Sequence, residues 1–233
     1  MTKKVFTLSI ETAVQGGSIS LLQGATELDH WIGLKEVSKS EDVLQEVKNI
    51  LERNDVKKDE LKRIVVSTGP GSHTGVRIGM AVGIGVRKAL NCELLGVFVL
   101  EAMLPDFKSE ISSYEGEIVT AVPIGRNQVC RQSFNFRNQK TIYSGTEPQI
   151  STVEDFSSFA GNGKFQYTKK LIIHRKLYLD YQAKYKDALM ENNIIIDAGE
   201  NIAVMNGILG VKKHNEADVS KATYVRDSVL QSF

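Results

Sequence analysis

The stretch GPGSHTGVRIGMAVGIG, residues 69–85, constrains the fold more than any other part of the sequence. It follows KRIVVSTG (62–69), which predicts a strand, and it predicts a turn and then a helix to about Leu90. Gly75, Gly79 and Gly83 recur every four residues and therefore share one face of that helix. Each glycine costs about 1 kcal/mol relative to alanine inside a helix. Such a helix is favoured where another backbone lies close against it, as in helix pairs with small residues at their contact.

The remainder of this helix is apolar nearly all round, which is typical of a helix that is buried on two sides. One side can face the sheet of its own lobe, and the other needs a second covering. In one interpretation the neighbouring predicted helix, residues 41–53, supplies that covering. In the interpretation that we adopt, a partner protein supplies it, and the predicted interface consists of Gly75, Arg77, Ile78, Gly79, Val82, Gly83 and Val86.

The turn before the helix is similar to a phosphate-binding loop but fails both common motifs. A Walker A loop needs a lysine where Val76 stands, and the dinucleotide fingerprint needs a glycine where Thr74 stands. The free N–H groups of a helix N-terminus still favour anions. The predicted turn-shaping residues are Gly69, Pro70 and Gly71, and the candidate anion contacts are Ser72, His73 and Thr74.

The order of the predicted elements indicates a two-lobed α/β protein. Residues 1–107 read β-β-β-α-β-α-β-α, the order of an RNase H-like lobe with a mixed sheet and crossover helices. A second meander and a helix follow, which predicts a duplicated but reduced lobe over residues 108–233. Residues 161–192 show no clean periodicity, and residues 193–210 predict a last strand and helix.

Composition argues against several classes of protein. The 233 residues carry a formal net charge of +1, so binding of nucleic acid mainly through a basic surface is not expected. Cys92 and Cys130 have no CxxC or Cys/His spacing, which argues against a disulfide framework and a zinc site. No apolar window approaches the roughly 18 to 20 residues of a membrane span. We therefore expect a cytoplasmic protein without membrane contact.

Several segments resemble the bacterial TsaB (YeaZ) family. GPGSHTGVRIG is similar to that family's GPGSFTGxRIG signature, and LSIETAVQGGSISLL is similar to its opening strands. AVPIGRNQVCRQSFNF, TEPQIST, AGNGKF and TYVRDS resemble its later segments, in the same order over most of the chain. The resemblance implies a two-lobed ASKHA (actin-like, RNase H-like) fold. It also implies a non-catalytic accessory role in threonylcarbamoyl modification of the tRNA adenosine beside the anticodon.

The resemblance implies partners as well. It implies pairing with a TsaD-like catalytic subunit through helices of the first lobe, and a TsaE-like ATPase that joins the pair. An exposed apolar helix face also predicts self-association when the partner is absent. On this interpretation tRNA is engaged indirectly. The chain alone binds no cofactor and no metal, and ATP or ADP is expected only at the joint between subunits.

The sequence departs from the family pattern at three places. Glu11 stands where the family usually has Asp, His73 replaces the usual Phe, and Gly125-Arg126 replaces an Asp-Ala-Arg turn. Each change argues against an actin-like phosphate or metal site. An ASKHA-type small-molecule kinase or ATPase remains the main enzymatic alternative, with Glu11 as its first carboxylate, although PIGRNQ (123–128) supplies no second one.

Other chemistry has less support in the sequence. Residues 41–53 lack the HxxxH pair of a metal-binding TsaD-like helix, and the four histidines, His30, His73, His174 and His214, lack ligand spacing. A peptidase of the M22 type is disfavoured, because no GxSxG elbow is present. Residues 164–186 mix basic and aromatic side chains, which would suit direct tRNA contact. We interpret that segment as a solvated irregular region, and we predict no catalytic residue.

Overall fold

The computed structural model describes residues 4–14, 16–33, 40–104, 116–124, 127–137, 140–143, 147–161, 169–185 and 193–216. The chain divides into two units. The first comprises Met1–Ala102 together with Asn201–Phe233, and the second comprises Met103–Glu200. The predicted lobe boundary at residue 107 lies close to this division. The prediction that all later residues belong to the second lobe differs from the structure, because the chain returns to the first unit at Asn201.

A five-stranded mixed sheet forms the centre of the first unit, with the strand order β3-β2-β1-β4-β5. β1 pairs with β2 and β2 with β3 in antiparallel fashion, whereas β1, β4 and β5 are parallel. This is the predicted meander followed by crossovers. The strands are β1 (Phe6–Glu11), β2 (Ser18–Gln23), β3 (Thr26–Ile32), β4 (Leu61–Ser67) and β5 (Glu93–Val97).

Helices cover both faces of this sheet. α1 (Ser40–Arg53) begins with Glu41 and Asp42, which complement the helix dipole, and it buries Val43, Val47 and Ile50. α2 (His73–Leu90) packs beside α1, and both contribute to a core with Leu8, Ile10 and Ile64 of the sheet. The short α3 (Val99–Ala102) follows β5 and begins two residues before the predicted helix at EAMLPDF.

The last described helix, α6 (Ile202–Glu216), packs on the same sheet. Glycines again allow a close approach: a Cβ at Gly207 would lie 2.5 Å from a Leu22 methyl, and one at Gly210 would lie 2.6 Å from a Val65 methyl. Its second residue is anchored by a hydrogen bond of 3.0 Å from the Ala203 N–H to the Ser18 hydroxyl. These contacts explain why α6 belongs to the first unit.

The second unit repeats the plan. Its sheet has the order β11-β10-β6-β7-β8, with β9 also pairing to β7. The strands are β6 (Gly116–Pro123), β7 (Gln128–Arg137), β8 (Lys140–Tyr143), β9 (Gln149–Thr152), β10 (Lys169–Ile173) and β11 (Asn193–Asp197). KTIYSGTEPQI, predicted as one strand, forms β8 and β9. In the described residues this unit has two helices, α4 (Val153–Gly161) and α5 (Arg175–Tyr185), against four in the first.

Candidate docking surface

The turn between β4 and α2 fixes where α2 begins. Gly69 has φ +95° and Gly71 has φ +158°, and with Pro70 they form this turn. The Ser72 hydroxyl caps the helix by accepting a hydrogen bond of 3.2 Å from the Gly75 N–H. The Gly69 carbonyl accepts the Val99 N–H at 2.9 Å, which ties the turn to the start of α3.

The glycine face of α2 lies against its own unit. An added Cβ at Gly75 would overlap the carbonyl oxygen of Thr12, and one at Gly79 would lie 2.5 Å from the Thr12 hydroxyl oxygen. A Cβ at Gly83 would lie 2.5 Å from a Val66 methyl. The glycines therefore do permit a close approach of another backbone, but that backbone is the end of β1 and the turn after it.

This packing corrects the predicted interface. The structure buries five of its seven residues within the first unit, and it packs Ile78 partly against the same core. Arg77 is exposed. Periodicity shows that one face of the helix lacks bulky side chains, but it does not show which neighbour packs against that face. The residues buried within the chain are Gly75, Gly79, Val82, Gly83 and Val86.

α1 and the last two turns of α2 form an apolar groove of about 510 Å³. Leu44 of α1 lines this groove and is 54% exposed. Exposed large apolar side chains that adjoin such a groove are typical of a protein interaction site. The groove is lined by Leu44, Val47, Leu51, Val86, Ala89 and Leu90, with Glu41, Gln45, Lys48 and Glu52 at its polar edge. We call this the α1–α2 groove.

The two sides of the α1–α2 groove differ in charge. α2 contains no acidic residue between His73 and Leu90, and its Arg77, Arg87 and Lys88 are exposed. α1 carries acidic residues at the groove, where Glu52 pairs with Lys48 at 3.6 Å. This ion pair joins two exposed side chains, so it contributes little to stability. The asymmetry instead gives the surface a basic side and a largely acidic side.

Sequence reasoning missed Leu44 and Ala89, two exposed residues that line this groove. Ala81, Gly85 and Ala89 recur every four residues on a second small-residue face. In the structure all three are exposed, and a Cβ at Gly85 would meet no atom within 4 Å. That second repeat in the sequence could have indicated an exposed face of α2. The glycine repeat on the buried face is the stronger pattern and was preferred.

The candidate anion contacts lie at the exposed start of α2. Ser72, His73 and Thr74 are all exposed. The Ser72 N–H is already engaged, since it donates to the Ala13 carbonyl at 2.6 Å. Anion binding by these residues stays a prediction.

Glu11, the candidate first carboxylate of a kinase, is 1% exposed at the end of β1. Its Oε1 accepts hydrogen bonds from the Ala13 N–H at 2.6 Å and the Val14 N–H at 3.0 Å. Burial raises the pKa of this carboxyl group to about 7, against the lowering effect of those bonds and of one with Ser67. Oε1 of Glu11 therefore holds the turn that follows β1.

Other parts of the chain contribute less to a site. Lys170, one of the basic residues of the segment 164–186, is buried, and Arg175 pairs with Asp197 at 2.9 Å. Residues 162–168 and 186, and the Gly125-Arg126 turn, lie outside the described residues. Within the described ranges, no three His, Cys, Asp or Glu residues are grouped so that they could hold a metal ion. No described helix is both long and apolar enough to cross a membrane.

Comparison with known proteins identifies the family. The family model described as TsaD, tRNA N6-adenosine threonylcarbamoyltransferase, matches residues 36–227, which is more than half of the chain. The chain is 28% identical over 131 residues to the tRNA threonylcarbamoyladenosine biosynthesis protein TsaB of Bacillus subtilis, covering 56% of each. It is 29% identical over 96 residues to the Escherichia coli TsaB protein, covering 41% of each. The matched segments thus span about half the length of these relatives.

Solved structures share the fold. YeaZ from Pseudomonas aeruginosa superposes with a TM-score of 0.63 at 16% identity, covering 95% of this chain and 99% of that one. An inorganic polyphosphate/ATP-glucomannokinase from Arthrobacter sp. superposes with a TM-score of 0.52 at 8% identity, covering 89% and 98%. The α/β architecture with two sheets is therefore that of the ASKHA, or actin-like ATPase, class. Together with the family model and the two relatives, it shows that the chain belongs to the TsaB (YeaZ) family.

Proposed function

We propose that this chain is a non-catalytic accessory subunit in the threonylcarbamoyl modification of a tRNA adenosine beside the anticodon. Its role is to pair with a TsaD-like catalytic subunit. Family membership supports the pathway, since both relatives are named for tRNA threonylcarbamoyladenosine biosynthesis. The engagement of Glu11 by backbone amides supports a non-catalytic role, because the best-placed carboxylate of the first unit is committed to its own turn.

The observation that carries this proposal is the α1–α2 groove. It is apolar along its length and polar at its edge, the arrangement of a protein interface with a dry centre and a wet rim. A TsaD-like protein is a suitable occupant because the family model that this chain matches is that of TsaD. A partner of the same family offers a corresponding pair of helices, and two helix pairs can pack together as a bundle.

The remaining parts of the proposal follow from this pairing. A TsaE-like ATPase joins the assembled pair, ATP or ADP binds only at the joint between subunits, and tRNA is held mainly by the partner. Without its partner, the chain self-associates through the same groove, because the exposed Leu44 side chain in its lining loses water contact on pairing. The assembly works in the cytoplasm.

The test is binding of the purified chain to the TsaD homologue of the same organism, measured by isothermal titration calorimetry. Leu44→Asp places a charge on the apolar lining of the groove and should weaken binding at least about tenfold, the effect of losing an apolar contact that the partner covers. Leu179→Asp is the matched control, since Leu179 is 53% exposed on α5 of the second unit. It should bind like the wild-type chain.

Two results would contradict the proposal. One is failure of the wild-type chain to bind the TsaD homologue, and the other is equal binding by Leu44→Asp and Leu179→Asp. Sustained ATP hydrolysis by the isolated chain would favour the kinase alternative. The fold similarity to a glucomannokinase is not evidence for that activity at 8% identity.

A further inference from the structure

Glu11 is a buried titratable group that does not line the α1–α2 groove. Its carboxylate ends β1 and points into the first unit, where the side chain is 1% exposed. A carboxylate oxygen offers two lone pairs, and both of those on Oε1 are directed at the Ala13 and Val14 N–H groups. Ser67 at the end of β4 forms a further hydrogen bond to the carboxyl group. Glu11 therefore holds the turn Thr12–Val14 in one conformation.

The same turn seats the first residues of α2. The Ala13 carbonyl accepts the Ser72 N–H at 2.6 Å, and the Thr12 hydroxyl donates to the Gly75 carbonyl at 2.7 Å. A Cβ at Gly71 would overlap the Ala13 carbonyl group, so the two backbones are in direct contact. No free space remains between the turn and the start of the helix. A displacement of the turn must displace the start of α2 as well.

We propose that Glu11 is a positioning residue for partner docking: its carboxyl group fixes the Thr12–Val14 turn, and that turn sets the position of α2 in the α1–α2 groove. This inference rests on the proposed function, since it assumes that the groove is where the partner binds. Glu11 itself does not touch the partner. It acts through the turn, the capped N-terminus of α2 and the rigid helix that follows.

Four variants separate this role from a general effect on stability. Glu11→Leu keeps the side-chain volume but removes the acceptor, so two buried N–H groups lose their partner. Glu11→Gln keeps a carbonyl oxygen for both N–H groups and an N–H for Ser67. Leu8→Ala weakens the same strand without touching the turn, since Leu8 lies in the core with α1 and α2. Ser9→Ala is a milder control, because the buried Ser9 hydroxyl has no hydrogen-bond partner in the described residues.

The first measurement is amide hydrogen exchange in the free, full-length chain. Glu11→Leu should accelerate exchange at the Ser72, Gly75 and Val76 amides about tenfold relative to the Leu8→Ala chain, the effect of losing hydrogen bonds to a charged group. Glu11→Gln should restore rates close to wild type. Equal rates at these three amides in Glu11→Leu and Leu8→Ala would overturn the positioning role.

The second measurement is the Kd for the TsaD homologue, determined on folded protein at a temperature well below each variant's Tm. Glu11→Leu should raise the Kd by about the same factor as it raises exchange, while Glu11→Gln and Ser9→Ala should not. If the wild-type chain does not bind the homologue, the proposed function fails and the exchange data still decide whether Glu11 positions α2. If all variants bind equally, the inference fails and the proposed function stands.

Discussion

Two helices occupy equivalent places in the two units and meet their sheets in different ways. α2 follows β4 of the first sheet, and α5 follows β10 of the second; each of these strands lies parallel to and beside the unit's first strand. Five residues, 68–72, join β4 to α2, whereas His174 alone joins β10 to α5. α2 faces its sheet with glycines, whereas α5 anchors itself with the buried Leu177 in the core of its unit.

The difference shows what a glycine face can and cannot reveal. Glycines let α2 approach the end of β1 closely, so its larger side chains are left for α1 and for the outer surface. α5 packs on its sheet through Leu177 and contains no glycine between Arg175 and Tyr185. A glycine repeat therefore reports the distance of a helix from its nearest backbone, and in this chain that backbone is in the same unit.

Each unit also buries one titratable side chain near these helix starts. In the first unit Glu11 accepts two backbone N–H groups beside α2. In the second, His174 is 3% exposed and its Nδ1 accepts the Lys176 N–H at 3.2 Å, which caps α5. Burial disfavours the charged form of both groups. Because one is an acid and the other a base, their effects on stability have opposite dependence on pH.

The largest expected effect is that of Gly75→Ala. The added methyl group would overlap the Thr12 carbonyl oxygen, which is backbone and cannot rotate away. We expect a loss of more than about 3 kcal/mol in the free energy of unfolding, the upper range for overpacking. Urea denaturation at pH 7 measures it. A variant as stable as wild type would mean that α2 does not lie against the turn after β1.

The second effect concerns His174. Burial lowers the pKa of this histidine to about 4 from 6.5, and nearby Lys176 and Arg175 lower it further against the opposing effect of Asp197. The folded state therefore resists protonation, and its stability is fully present above pH 6.5 and is lost as the pH falls towards 4. The loss amounts to roughly 3 kcal/mol. Urea denaturation of His174→Asn at pH 7 and pH 4.5 should show a smaller loss than wild type.

The third effect, of opposite sign, concerns Glu11. Its pKa is raised to about 7 in the folded state from 4.5, so the folded state binds the proton more tightly. Its contribution is fully present below pH 4.5 and is lost as the pH rises through 7, by roughly 3 kcal/mol. Glu11→Gln should gain stability relative to wild type between pH 5 and pH 8. An unchanged difference across that range would show that Glu11 titrates normally.

The smallest expected effect is that of Gly85→Ala. Gly85 lies on the outer face of α2, where a Cβ would meet no atom within 4 Å. Alanine should therefore raise the free energy of unfolding by up to about 1 kcal/mol, the intrinsic helix preference. Thermal denaturation provides the measurement. The opposite signs expected at Gly75 and Gly85 distinguish the two faces of one helix.

Much of the first unit could be predicted from its sequence because local signals agreed with the fold. The meander, α1 with its acidic first turn and the turn at Gly69–Gly71 all follow from periodicity and turn chemistry. Two features could not be predicted. The first is the packing of α6 on the sheet of the first unit, which depends on contacts of Gly207 and Gly210 with strands distant in sequence. The second is the presence of β10 and α5, which lie in a segment without clean periodicity.

The predicted interface lay on the glycine face of α2, and the structure packs that face against its own unit. Both faces of α2 repeat small residues every four positions, and only the structure shows that Thr12 lies against one of them. Leu44 directly follows the buried Val43 in α1. In the structure it lies at the edge of the helix stripe and is exposed beside the groove.

The most direct test of the central claim, that the partner covers the outer α1–α2 groove, is the rate of maleimide labelling of single introduced cysteines. The native Cys92 and Cys130 are buried and should react slowly. Saturating TsaD homologue should slow labelling of Leu44→Cys and Ala89→Cys at least about tenfold, with Leu179→Cys unchanged, because both residues are exposed and line the groove that the partner covers. Equal labelling rates at Leu44→Cys and Ala89→Cys with and without bound homologue would contradict the claim.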